Sequence, residues 1–94
     1  MSKRYGKITP IDMPDKNEVY PIAIPAHTKS YTLKLRSNCE FKIAFLSNGI
    51  SEGNYMTIPA GSAEVEDDLG KEDDMIIYMQ SEKDNDIAEL KIWL

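Results

Sequence analysis

The sequence predicts an all-β fold, a small antiparallel β-sandwich or jelly-roll-like barrel of about six or seven strands, with a pseudo-repeat and an extended N-terminal arm. Three observations predict it. The segment from Ile24 to Ser47 recurs 34 positions later, without a gap, from Ile58 to Ser81. Only 6 of its 24 positions are identical, but the apolar positions keep their phase. That phase is the stronger signal, because a slip of one residue would turn a strand's whole apolar set to the other face. Second, no stretch sustains the i, i+3, i+4, i+7 pattern of an amphipathic helix over three turns. Third, short apolar runs alternate with Gly, Pro and Asn turns at regular spacing, the pattern of a sandwich or jelly roll.

Residues 1–18 hold isolated Ile8, Ile11 and Met13 among Pro10, Asp12, Pro14, Asp15 and Asn17. With no sustained period they read as an extended arm, and the sandwich domain is assigned to 19–94. Val19 to Ile24 is the first strand. Pro21 and Pro25 cannot donate to a ladder, so this strand belongs at a sheet edge. Residues 26–30 form a turn. Its counterpart in the repeat is Pro59-Ala60-Gly61, so His27 occupies the slot of Gly61, a position tolerant of positive φ. Tyr31 to Arg36 alternates, with Tyr31, Leu33 and Leu35 facing inward and Thr32, Lys34 and Arg36 outward.

After a break at Ser37-Asn38, Phe41 to Leu46 is the next strand, with Phe41, Ile43 and Phe45 inward. Ser47-Asn48-Gly49 and Gly53-Asn54 bracket a loop. Tyr55 to Ile58 leads into the second copy of the turn. Ser62 to Leu69 reads as a short strand followed by an exposed loop. Met75 to Gln80 is nearly continuous in apolar character, which predicts cover on both faces. Ile87 to Leu94 closes the chain, with Ala88, Leu90, Ile92 and Leu94 on one face and Ile87, Glu89, Lys91 and Trp93 on the other. A terminal strand of this kind is a candidate free edge for pairing with another chain.

Bulk properties narrow the function. The 94 residues make one domain with a modest core. No apolar run approaches the roughly 20 residues of a membrane span. The first residues lack the apolar h-region of a secretory signal. A single cysteine, Cys39, allows no internal disulfide and suggests a reducing compartment. The net charge of −5 is unevenly spread. Residues 1–42 carry eight Lys/Arg and four Asp/Glu (+4), and residues 43–94 carry three Lys and twelve Asp/Glu (−9). Such asymmetry suits packing against copies or neighbours in an array. The basic half is too thin for a nucleic-acid footprint.

Chemistry-bearing constellations are scarce. One His and one Cys cannot supply a zinc set. Glu64 to Asp74 carries seven carboxylates, but their spacing does not match a calcium loop, and a solvated loop is the simpler reading. No phosphate-binding glycine motif occurs. No catalytic residue, metal or cofactor is assigned. The candidate partner-binding residues are Tyr5, Ile8, Ile11 and Met13 of the arm, and Trp93. Exposed aromatic and apolar side chains of this kind anchor interfaces.

Four stretches carry a resemblance: Tyr-x-Leu-x-Leu-Arg at Tyr31 to Arg36, Ile-Pro-Ala-Gly at Ile58 to Gly61, Ile-Tyr-Met-Gln-Ser at Ile77 to Ser81, and Glu-Leu-Lys-Ile-Trp at Glu89 to Trp93. Over residues 19–94 the chain resembles small β-sandwich virion structural proteins of tailed bacteriophages, of the capsid auxiliary, decoration or head-fibre kind. The resemblance implies a non-enzymatic protein, present in multiple copies in a virion assembled in the host cytoplasm. Its partners would be the major capsid protein or other virion proteins, with no nucleic acid and no membrane. The alternative is a carbohydrate- or ligand-binding β-sandwich module, using Trp93 and the tips at 48–54 and 64–74.

Overall fold

Eight strands follow one another in the computed structural model, which describes residues 6–67, 69 and 73–94. They are β1 (Gly6–Met13), β2 (Val19–Ile24), β3 (Ser30–Leu35), β4 (Phe41–Ala44), β5 (Met56–Ile58), β6 (Glu64–Glu66), β7 (Met75–Ser81) and β8 (Asp86–Trp93). They form two four-stranded antiparallel sheets, in the orders β1-β8-β3-β6 and β2-β7-β4-β5. Every connection crosses between the sheets except the one from β4 to β5. This is the strand order of an eight-stranded jelly roll.

Alternation explains most of the core. In β3, Tyr31, Leu33 and Leu35 are buried, while in β8 Ala88, Leu90 and Ile92 are. They face Phe41, Ile43, Ile77 and Met79 from the second sheet. Burying each Leu, Ile, Phe or Met side chain of this set contributes about 1.5–3 kcal/mol. The proline-bearing strand β2 lies at a sheet edge, as its sequence predicts.

The turn shared by the two repeats is confirmed in detail. His27 has φ 66° and Gly61 has φ 80°. Thr28 N–H donates to the Pro25 carbonyl at 3.4 Å, and Ser62 N–H to the Pro59 carbonyl at 3.0 Å. Positive φ at the third residue marks both as type II turns. The repeat pairs β2 with β5, β3 with β6 and β4 with β7. Reversing the order of the second sheet exchanges β2 with β5 and β7 with β4, so these copies occupy equivalent places. In the first sheet the copies part company. β3 is an inner strand of six residues, and β6 is an edge strand of three.

Four expectations need correction. The segment expected as an arm contains β1, which pairs along its whole length with β8 from Gly6↔Trp93 to Met13↔Asp86. Gly6–Met13 therefore belongs to the folded body and not to an arm ahead of it. The apolar residues of β1 look isolated because an edge strand needs few of them. The closing strand β8 is not a free edge but lies between β1 and β3. One face of β7 is open, with Ile76 exposed, because an antiparallel sheet can meet water on one side. Strand β4 stops at Ala44, so Phe45 is exposed rather than inward.

Antiparallel pairing assigns the connections to two ends. The upper end carries the β2–β3, β4–β5 and β6–β7 connections and Trp93. The lower end carries the β1–β2, β3–β4, β5–β6 and β7–β8 connections. The lower end is sealed by Asp86, which is buried. Its Oδ2 accepts from Ser37 Oγ and Ser81 Oγ, both at 2.9 Å, and its Oδ1 accepts from the Ile87 N–H at 2.9 Å. Ser81 Oγ in turn accepts from the Lys83 N–H at 3.1 Å. One carboxylate thus ties β7 and β8 to the β3–β4 connection.

Candidate interaction surface

Among the described residues, the largest group of exposed apolar side chains flanks the β4–β5 connection at the upper end. Phe45 and Leu46 leave β4, and Tyr55 and Met56 enter β5. Phe45, Leu46 and Met56 are each more than half exposed. Together with Ile43, Ala44 and Asn54 they line a depression of about 220 Å³.

The loop between them is held by its own hydrogen bonds. The Gly49 N–H donates to the Leu46 carbonyl at 3.0 Å, and the Asn54 N–H to the Gly49 carbonyl at 2.7 Å. The Glu52 N–H donates to the Asn48 carbonyl at 3.1 Å, and Asn48 Nδ2 donates to Glu52 Oε2 at 3.0 Å. The loop lies against Ala44 so closely that a Cβ on Gly49 would sit 2.6 Å from the Asn54 carbonyl oxygen and 2.7 Å from Ala44 Cβ. Only glycine fits there. Lys42 Nζ lies 4.9 Å from the centroid of the Tyr55 ring, a cation–π contact that orients the ring. The patch is thus presented on a braced loop. A depression lined by apolar side chains, beside amide and carbonyl groups, can bury a partner's aliphatic or aromatic side chain.

A second exposed surface is the outer face of the first sheet. The Trp93 ring lies over Gly6, where a Cβ would come within 2.8 Å of ring carbon Cζ3. Arg36 Nε and Lys34 Nζ pair with the Glu89 carboxylate at 3.1 and 4.0 Å. At this exposure such pairs contribute little to stability. Ile8 and Val65 are exposed on this face, at the two opposite edges of the sheet.

The sequence-predicted partner residues are scattered by the fold. Tyr5 lies outside the described residues. Ile8 is 69% exposed, and Trp93 is partly exposed with one ring face on Gly6. Ile11 is half-buried against the core, and Met13 is 1% exposed. Met13 is therefore a core residue, not a docking residue. Alternation along β1 turns Ile11 and Met13 to the same inner face as their partners Ala88 and Asp86, while Ile8 points outward. Phe45, Leu46, Tyr55 and Met56 were missed because they read as strand residues. The signal that could have found them is the Ser47-Asn48-Gly49 turn directly after two consecutive apolar residues, which breaks alternation.

The remaining polar candidates do not assemble. His27 is exposed in its turn, and Cys39 is partly buried against the core. Residues 68 and 70–72 of the acidic stretch lie outside the described residues. Among the described residues no three His, Cys, Asp or Glu side chains gather as a metal would need. Glu64 and Glu66 sit opposite Leu33 and Tyr31, on the inner face of edge strand β6. Inward charges at an edge deter indiscriminate strand pairing. Burial, and then Glu66, raises the Glu64 carboxyl above its ordinary value. Burial, followed by Glu64 and Glu66, pushes the Tyr31 phenol up to about 12.

Comparison with protein-family models, with curated proteins and with solved structures finds no match.

Proposed function

We propose that this protein is a non-enzymatic structural component of a bacteriophage virion. In this reading it is a capsid auxiliary or decoration protein, or a head-fibre or connector accessory, that binds neighbouring virion proteins in many copies. The observation that carries the reading is the patch of Phe45, Leu46, Tyr55 and Met56. Contiguous exposed apolar side chains on a soluble-sized domain mark protein–protein contacts, and here they sit on a braced loop rather than on a floppy one. The resemblance of the β3, β5–β6 turn, β7 and β8 segments to phage sandwich proteins supports the virion assignment. The uneven charge along the chain suits repeated packing.

Density-gradient sedimentation of native source material, with mass spectrometry of each fraction, tests this. The chain should co-migrate with large particles at a fixed ratio to their main shell protein. Recovery only in slow, soluble fractions would sink the virion reading. A Phe45→Ser, Met56→Ser double variant should keep its fold and lose particle occupancy. Full occupancy by that variant would remove the patch as the docking site. Truncating residues 2–18 is not a clean test, because it deletes β1 and the core residue Met13.

The carbohydrate-binding alternative has one observation in its favour. The topology gathers Trp93, the 48–54 loop and the described residues of the β6–β7 connection at the upper end. A glycan array separates the two, since a purely structural protein gives a blank.

A further inference from the structure

The two edges of the first sheet are complementary to each other. The pairings Ile8↔Lys91, Lys91↔Thr32 and Thr32↔Val65 place Ile8, Lys91, Thr32 and Val65 in one straight row across the sheet. The exposed β-branched residues Ile8 and Val65 are the two ends of that row. The backbone phase follows from a single bond. The Arg36 N–H donates to the Ile87 carbonyl at 2.9 Å. Hydrogen-bonded pairs recur every second residue in an antiparallel ladder. The bonded pairs between β3 and β8 therefore include Thr32↔Lys91, so Ile8 and Val65 turn their own N–H and C=O groups away from the sheet. Pro10 shares the phase of Ile8, so its missing N–H faces outward, where an edge tolerates proline.

We infer that copies of this chain associate head to tail, the β1 edge of one copy pairing antiparallel with the β6 edge of the next. β1 and β6 run in opposite directions within the sheet. Copies in the same orientation, side by side, therefore continue the antiparallel alternation. Extending the row pairs Ile8 with Val65 of the next copy, and the two exchange both backbone hydrogen bonds. The same register sets Lys7 directly opposite Glu66, an opposite-charge cross-strand pair. It also matches the three residues of β6 with Lys7, Ile8 and Thr9. Pairing stops at Pro10, where β6 has already ended.

Lys7 and the inward Glu64 and Glu66 make each edge unattractive to its own kind. Like edges repel and unlike edges attract, which selects head-to-tail over back-to-back contact. Such a heterologous contact closes into a ring or propagates as a filament, according to the rotation per copy. The contact is short, so it is concentration-dependent, and it is strengthened where copies are already held side by side on a surface. It does not depend on what the Phe45–Met56 patch binds.

Sedimentation equilibrium of the full chain over a concentration series is the test. Reversible self-association that weakens with added salt is expected; a chain that stays monomeric at about 1 mM overturns the inference. Lys7→Glu sets like charges opposite and should weaken association about tenfold. Glu66→Lys should do the same, and the double exchange should restore the wild-type constant. A double variant as weak as the singles overturns the Lys7–Glu66 pairing. Val65→Pro removes only an outward N–H and should abolish association while the unfolding midpoint is retained. Association unchanged in both Lys7→Glu and Val65→Pro overturns the proposed edge.

Discussion

Replacing Asp86 by Asn should destabilise the protein far more than an Asp-to-Asn change on the surface. The side chain is buried, and three donors converge on it: Ser37 Oγ, Ser81 Oγ and the Ile87 N–H. Hydrogen bonds to a charged acceptor contribute about 1.5–3 kcal/mol each and neutral ones about 0.5–1.5. Weakening three of them by about 1 kcal/mol each amounts to about 3 kcal/mol. In addition, the amide must aim an NH₂ at one side where only donors wait. Relief from burying a charge offsets part of this, so the expected loss is about 2–3 kcal/mol for Asp86→Asn. Asp86→Ala should cost about 4 kcal/mol, because it leaves two buried hydroxyls without their acceptor. For a domain of this size about 1 kcal/mol lowers Tm by roughly 4–8 °C, so the Asn variant should melt about 10–20 °C lower. Urea unfolding followed through Trp93, the single tryptophan, measures the difference. A double-mutant cycle of Asp86→Ala with Ser81→Ala should show coupling of about 1–2 kcal/mol. An Asn variant within about 0.5 kcal/mol of wild type would refute the claim that this carboxylate seals the lower end.

Two more outcomes follow from local geometry. Gly61→Ala should lose about 1 kcal/mol, since its φ of 80° is unfavourable to a side chain and nothing lies within 4 Å of the new Cβ. His27→Gly, at the equivalent position, should be neutral or slightly stabilising; a large loss would show that the imidazole does more than occupy a turn. Alkaline stability should depend on Tyr31. Its pKa is pushed up to about 12 in the folded protein, against about 10 when unfolded. Above pH 10 the unfolded chain releases a proton that the folded one keeps, so stability is intact below pH 10 and falls between 10 and 12. Tyr31→Phe should show a shallower fall over that window. Identical slopes would mean that Tyr31 titrates freely in the fold.

Strand content was legible wherever one face is buried and the other is wet. β3 and β8 alternate in sequence as they do in space, since each has a partner strand on both sides and one face on the core. The turn at His27 was legible because its repeat partner is Gly61. β1 was not legible as a strand. Only Ile11 and Met13 of its inner face are apolar; Lys7 and Thr9 share that face, and Ile8 points outward. Its pairing comes entirely from β8, nearly eighty residues away, which no local pattern reports. The exposed loop patch was hidden for a related reason. The alternation that runs Phe41-Lys42-Ile43 suggests Phe45 inward, but the packing of Gly49 on Ala44 bends the chain before Phe45 can obey it.

The amino-acid order by itself determined the class of fold, the inward set of the central strands, the edge position of β2 and the shape of the repeated turn. These depend on side-chain period and backbone sterics, which are properties of neighbouring residues. The tertiary structure alone decided which other strands are edges, which end of the sandwich each connection occupies, and that Ile8, Lys91, Thr32 and Val65 fall in one row. It also brought Ser37 and Ser81 onto the Asp86 carboxylate. Those relations join residues far apart in the chain, and they exist only once the two sheets have closed on a common core.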